Sequence, residues 1–123
     1  MSSAPMIILY VASPAESASF YSRLLGSAPV DSSPNFAMFA LEGGVMLGLW
    51  ARRDVQPAPT TQAGAMEVGF IAADDAAVRE RHAQWAAQGV PMLQAPVTMD
   101  FGYTFTATDP DGHRLRVFAP KAV

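Results

Sequence analysis

Residues 6–26 read MIILYVASPAESASFYSRLLG, a strand followed by a helix with both of its ends marked. Met6–Ala12 is an apolar run of strand length. Ser13 then stands where an N-cap belongs, Pro14 in the first turn, and Glu16 three residues after the serine completes a capping box. Phe20, Tyr21, Leu24 and Leu25 supply an apolar stripe at helical spacing. Gly26 ends the helix, since it adopts the left-handed conformation that a helix terminus requires at no steric cost.

The same order recurs further on. Glu67–Ala72 reads as a strand, Asp74 or Asp75 opens a helix that runs through Gln88, and Gly89 stops it. Short strands follow each helix. In the first half they fall at about residues 28–31, 36–41 and 45–51, the last two joined by a Gly43-Gly44 turn. In the second half they fall at about residues 90–95, 101–108 and 113–119, the last two joined by Asp109-Pro110-Asp111-Gly112. Residues 54–64, DVQPAPTTQAG, are polar and proline-containing and read as a linker. A repeat of half the chain is too long for a solenoid and suits a duplicated module. The fold class expected is α+β: tandem βαβββ modules in a curled, cup-shaped mixed sheet with helices on the outer face. Residues 1–123 would form one domain, with module one at about 6–53 and module two at about 65–120.

Composition narrows the function. Half of the 123 residues are apolar and 15% are charged, which excludes a disordered chain. No apolar run approaches the ~18–20 residues needed to span a bilayer, so no membrane partner is expected. Met1–Pro5 lacks the basic-then-apolar order of a signal peptide. With no cysteine there is neither a disulfide framework nor thiolate chemistry, and a cytoplasmic location follows as the expectation. A net charge of −3, with Arg52-Arg53 as the densest basic stretch, argues against nucleic acid.

Alternation along the strands separates two faces. Ile7, Leu9, Val11, Leu47, Leu49, Val68, Phe70, Leu115 and Val117 are uniformly apolar and belong under the helices. The opposite set mixes charge, glycine and rings: Met6, Ile8 and Tyr10; Met46, Gly48 and Trp50; Glu67, Gly69 and Ile71; Arg114, Arg116 and Phe118. A helix-covered core would not tolerate that mixture without partners, so this face is read as a cavity lining. A two-residue Gly43-Gly44 turn would pair Phe39 with Gly48. Pairing Thr108 with His113 would set Phe105 opposite Arg116 and Tyr103 opposite Phe118. The expected ligand site is therefore Phe39, Trp50, Tyr103, Phe105 and Phe118 as walls, with Glu67 and Arg116 as polar handles.

The stretches Ile8–Gly26 and TFTATDPDGHRLRVF, residues 104–118, give the chain a resemblance to the glyoxalase/bleomycin-resistance/extradiol-dioxygenase superfamily, over essentially its whole length. The resemblance implies paired βαβββ modules and a homodimer. It also implies, for the superfamily's enzymes, a divalent metal held by His or Glu side chains from four strands. Those positions fall here on Met6, Gly48, Glu67 and Arg116. A thioether, a bare α-carbon and a guanidinium are poor ligands for a hard cation, so no metal or other cofactor is expected. The run Met99–Phe118 points within the superfamily to the phenazine-antibiotic resistance proteins, whose cups sandwich a planar ligand between rings.

Three readings compete. The first is a non-enzymatic binder that sequesters a planar, antibiotic-like aromatic molecule. The second is a lyase, isomerase or dioxygenase with a noncanonical metal site or none, and the third a structural dimer with a collapsed cup. The rings would then fill the cup or a dimer interface, and Arg116 would pair structurally with Glu67. His82 reads as a partly buried helix residue and His113 as exposed. Neither has a partner suggesting a catalytic dyad, so no catalytic residue is assigned. Asp109 and Asp111 read as turn formers, and the seven methionines as core filler or an adaptable lining.

Overall fold

The computed structural model describes residues 5–121, so the reading of Met1–Ala4 lies outside the described residues. The chain divides into two compact units, Met1–Gln62 and Ala63–Val123, the boundary falling inside the expected linker. Unit one holds β1 (Met6–Val11), α1 (Pro14–Leu25), β2 (Asp31–Ser33), β3 (Phe36–Ala40) and β4 (Met46–Ala51). Unit two repeats the order with β5 (Glu67–Ile71), α2 (Asp75–Ala87), β6 (Met92–Met99), β7 (Gly102–Thr108) and β8 (Arg114–Pro120). Each unit is a four-stranded mixed sheet, ordered β1-β4-β3-β2 and β5-β8-β7-β6, with the first strand parallel to the last. The fold is α+β and built of two βαβββ modules.

The helix signals act as read. Ser13 Oγ accepts the Glu16 N–H at 3.2 Å, and Gly26 ends α1 at φ 70°. Asp74 Oδ1 caps α2 by accepting the Ala77 N–H at 2.8 Å, and Gly89 follows at φ 80°. α1 lays Phe20, Tyr21 and Leu24 onto the sheet, where Leu9, Val11, Leu47 and Leu49 are at most 2% exposed. α2 sets Trp85 edge-on to Phe70 and Phe105, over Val68, Leu115 and Val117. Apolar burial on this scale is the main stabilising term in each module. The linker is less free than its composition suggests. Val55 is buried, and Arg52 Nη2 donates to the Thr61 carbonyl at 2.7 Å.

Both hairpin loops differ from their sequence reading, and the difference moves side chains between faces. Each loop contains three residues, where two and four were expected. Leu41 N–H donates to Val45 O at 2.8 Å around Glu42–Gly44, which makes a short 3₁₀ turn with Gly43 and Gly44 at φ 82° and 83°. Asp109 N–H donates to His113 O at 2.9 Å around Pro110, Asp111 and Gly112, the last at φ 91°. The Asp109 carboxylate accepts from the backbone N–H of Asp111 at 2.9 Å and of His113 at 2.8 Å. Asp109 is thus the turn former it was read to be, but as a closing residue of the ladder. His113 is correspondingly buried and not exposed. The observed pairs are Phe39 with Leu47, Met38 with Gly48, Phe105 with Val117, Tyr103 with Ala119, Thr104 with Phe118 and Thr106 with Arg116. Because side chains alternate with a period of two, one residue of slip turns the whole of β3 and β7 over. The first β2 reading, at 28–31, is likewise displaced to Asp31–Ser33, since β2 follows the register of β3.

Candidate functional site

In module two the face away from α2 is organised around Arg116, which is centred on the sheet by β8. Its Nε donates to Glu67 Oε1 on β5 at 2.6 Å. Its Nη1 donates to Thr104 Oγ1 on β7 at 3.1 Å and to Gln94 Oε1 on β6 at 3.3 Å. All four strands of this sheet therefore contribute to one network. Thr104 Oγ1 in turn donates to the Val117 carbonyl at 2.9 Å, which leaves its lone pairs for the guanidinium. Thr106 Oγ1 donates to Gln94 Oε1 at 3.1 Å. Gln94 lies between two irregularities in the β6–β7 ladder, the kind of bulge that re-aims a side chain. Rings stand beside this network. Phe118 leans over the bare backbone of Gly69, where an added Cβ would meet its Cε1 at 3.8 Å. Phe101 packs edge-on to Phe118 with centroids 5.7 Å apart, and the Arg116 guanidinium carbon lies 5.6 Å from the Phe101 centroid.

In module one the face away from α1 is aromatic and methionine-rich. Trp50 meets Tyr10 edge-on at 6.2 Å and stands opposite Phe36 in the β3–β4 register. Gly48 is the floor: a Cβ there would lie 2.8 Å from both the Met6 methyl and Phe36 Cζ. Met6, Ile8 and Tyr10 keep roughly two-fifths of their surface open.

Of the seven residues assigned from sequence, Trp50, Glu67, Arg116 and Phe118 lie on these open faces, and Glu67 touches Arg116. Phe39, Phe105 and Tyr103 do not. Phe39 and Phe105 are completely buried under the helices, Phe39 against Tyr21 and Phe105 against Trp85 and His82. Tyr103 shares the helix-side face of β7, half-buried, with Arg79 of α2 over its ring at 5.7 Å. The three-residue hairpin loops are the cause in every case. In their place the register brings Phe36, Thr104, Thr106 and, through the bulges, Gln94 to the faces away from the helices, the two threonines fully covered there, with Phe101 beside them. The threonines were legible, since Thr104, Thr106 and Thr108 alternate with Tyr103, Phe105 and Ala107.

Comparison with known proteins places this architecture. Residues 4–117 match the Glyoxalase/Bleomycin resistance protein/Dioxygenase superfamily. The chain belongs to that superfamily. A protein of Agrobacterium tumefaciens solved by solution NMR is 50% identical and superimposes with a TM-score of 0.88, over 99% of this chain and 100% of that one. A glyoxalase-related enzyme from Fulvimarina pelagi, 23% identical over 97% of this chain and 88% of its own, shares the fold with a TM-score of 0.83. The phenazine antibiotic resistance protein EhpR of Enterobacter agglomerans is 26% identical over 113 residues, 89% of this chain and 86% of that protein.

The superfamily's metal-ligand positions test poorly here. In module one, Gly48 offers no donor and its space is taken by the Met6 methyl and the Phe36 ring. In module two, Glu67 already gives an oxygen to the guanidinium of Arg116. A thioether, a covered α-carbon, a paired carboxylate and a cation do not fit a hard divalent ion. Among the described residues no group of three or more His, Cys, Asp and Glu side chains comes together to hold one. Among the same residues, no helix is long and apolar enough to cross a membrane.

Proposed function

We propose that this superfamily member is a non-catalytic, cytoplasmic binder that sequesters a planar aromatic, antibiotic-like small molecule. The observation that carries the reading is the open face of module two. There a guanidinium fixed by three side chains lies directly beside the Phe118 and Phe101 rings. Such a surface stacks a flat ring and reads its polar edge, the combination that small-molecule sites use. The resistance protein EhpR among its relatives supports the same direction, and the poor metal donor set weighs against a metal-dependent enzyme. Trp50 forms a stacking surface of its own on the open face of module one. We also propose a two-fold homodimer, because exposed apolar side chains such as Met6 and Ile8 on an edge strand are best covered by a second copy. Sedimentation at micromolar concentration showing only a 13.1 kDa species would refute the dimer.

The binding test is a titration with phenazine and other planar heteroaromatics, followed by tryptophan emission and thermal stability. Trp50 is half-buried on an open face and should be quenched in a saturable way. Trp85, 2% exposed on the sheet-facing side of α2, should respond little. Dissociation constants of roughly micromolar order, about −8 kcal/mol, are expected. Phe118→Ala should weaken binding at the module-two face about tenfold, the ~1–2 kcal/mol of a lost ring contact, and Trp50→Ala should do the same to any binding at the module-one face. A broad panel giving neither saturable quenching nor stabilisation refutes the reading.

A further inference from the structure

Resting on that reading, the Arg116–Glu67 geometry says which polar edge the ligand carries. Arg116 is a cation whose charge is already matched: Nε meets Glu67 Oε1 at 2.6 Å, and side-chain exposures of 17% and 38% keep the pair at the surface of the open face. Nη1 is spent on Thr104 and Gln94. Among the described residues, Nη2 of Arg116 and Oε2 of Glu67 make no hydrogen bond. The pair therefore keeps one unused donor group and one unused acceptor atom, each on the same planar group as its neighbour in the 2.6 Å Nε–Oε1 contact, with no net charge between the two side chains.

We infer that this face selects neutral planar ligands bearing an adjacent acceptor and donor, such as a carboxamide, a lactam or a hydroxyl beside a carbonyl, and disfavours carboxylates. The acceptor of such a ligand takes an Nη2 hydrogen while its N–H or O–H donates to Glu67 Oε2. A carboxylate satisfies Nη2 as well, but it has no hydrogen for Glu67 and sets a second negative charge against it. Arg114, on the same face of β8 and opposite Glu67 in register, is the other nearby charge. It is exposed and forms no ion pair with Glu67 among the described residues, so solvent and salt screen its pull on a ligand anion.

The experiment is a calorimetric titration with three probes sharing one ring system: phenazine, phenazine-1-carboxamide and phenazine-1-carboxylate. The carboxamide is expected to bind at least about tenfold tighter than the carboxylate to the unaltered chain. Glu67→Gln should remove that preference or reverse it and make carboxylate binding fall with added salt, while Arg114→Gln leaves the wild-type order intact. If phenazine binds but the carboxylate equals or exceeds the carboxamide on the unaltered chain, this inference fails and the ring-binding reading stands. If none of the three binds, both fail. The unaltered-chain comparison needs no variant, so it decides even if Glu67→Gln does not fold.

Discussion

Phe105 and Phe118 lie on neighbouring strands, and the hairpin register sends one ring into the core and the other to the open face. Truncating each therefore tests the register on which the candidate site depends. Phe105 is 0% exposed and held edge-on by Trp85 at 5.3 Å and His82 at 5.1 Å. Phe105→Ala removes a fully enclosed ring and leaves a cavity walled by α2, which costs about 3–5 kcal/mol. That is a large share of the ~5–15 kcal/mol by which a domain is stable. At the ~1–3 kcal/mol per molar typical of urea, the unfolding midpoint should fall by about 1–5 M. Phe105→Leu, which keeps most of the volume, should cost less than about 1.5 kcal/mol. Phe118 is only half-buried, so its truncation forfeits about 100 Å² of contact and encloses no void. At ~25 cal/mol per Å², reduced for the compactness of real unfolded chains, that is about 1–2 kcal/mol. The assay is urea unfolding of both alanine variants alongside phenazine titration. Phe105→Ala should be the unstable variant and Phe118→Ala the one that loses ligand. A Phe105→Ala variant that keeps its stability but loses ligand would mean that the four-residue loop read from sequence for the β7–β8 hairpin is correct and that Phe105 faces the ligand.

Gly102 sits at φ 149°, and a Cβ there would run into the Ala119 carbonyl; Gly102→Ala should cost more than about 3 kcal/mol, or block folding, as seen by circular dichroism. Arg116→Leu should lower stability by less than about 1 kcal/mol, because Thr104 keeps Val117 O, Gln94 keeps Thr106 and Glu67 is solvated; a urea-measured loss above about 2 kcal/mol would show a structural network instead. Asp109→Ala strips the acceptor from two backbone N–H groups at a site 3% exposed, and unfolding should show a loss of about 2 kcal/mol or more. Elemental analysis after dialysis should find well below one equivalent of zinc, nickel, manganese or iron, given the donor chemistry at Met6, Gly48, Glu67 and Arg116.

The elements that were legible are those whose signals are local. Ser13, Pro14 and Gly26 specify α1, and Asp74 and Gly89 bracket α2, through hydrogen bonds and backbone angles within a few residues. Faces were legible where one strand alone alternates strongly. β4, β5 and β8 place Leu47, Leu49, Val68, Phe70, Leu115 and Val117 on one side and glycine, charge or a ring (Gly48, Trp50, Glu67, Gly69, Arg116, Phe118) on the other. The strand pattern alone therefore suffices to put Trp50, Glu67, Arg116 and Phe118 on the faces away from the helices. In β3 both faces are apolar, Phe36 and Met38 against Ala37 and Phe39, so alternation is silent and the face had to be carried across a loop.

That dependence on loops explains why the errors came together. A face inferred through a hairpin inherits the parity of the loop, and a loop of three residues pairs strands one step away from a loop of two or four. Glycine counts suggest where a chain turns but not how many residues the turn consumes, since a left-handed glycine closes a three-residue loop as readily as it sits inside a two-residue one. At the second hairpin β7 itself argues against a four-residue loop. The four-residue reading put Phe105 beside Arg116 and buried Thr104 and Thr106 under α2, against apolar side chains that offer no hydrogen-bond partner. The three-residue loop buries Phe105 against Trp85 and turns both hydroxyls to Arg116 and Gln94. Satisfying two hydroxyls and burying one ring outweigh any difference in turn type, so the composition of the strand, and not of the turn, determines the register here.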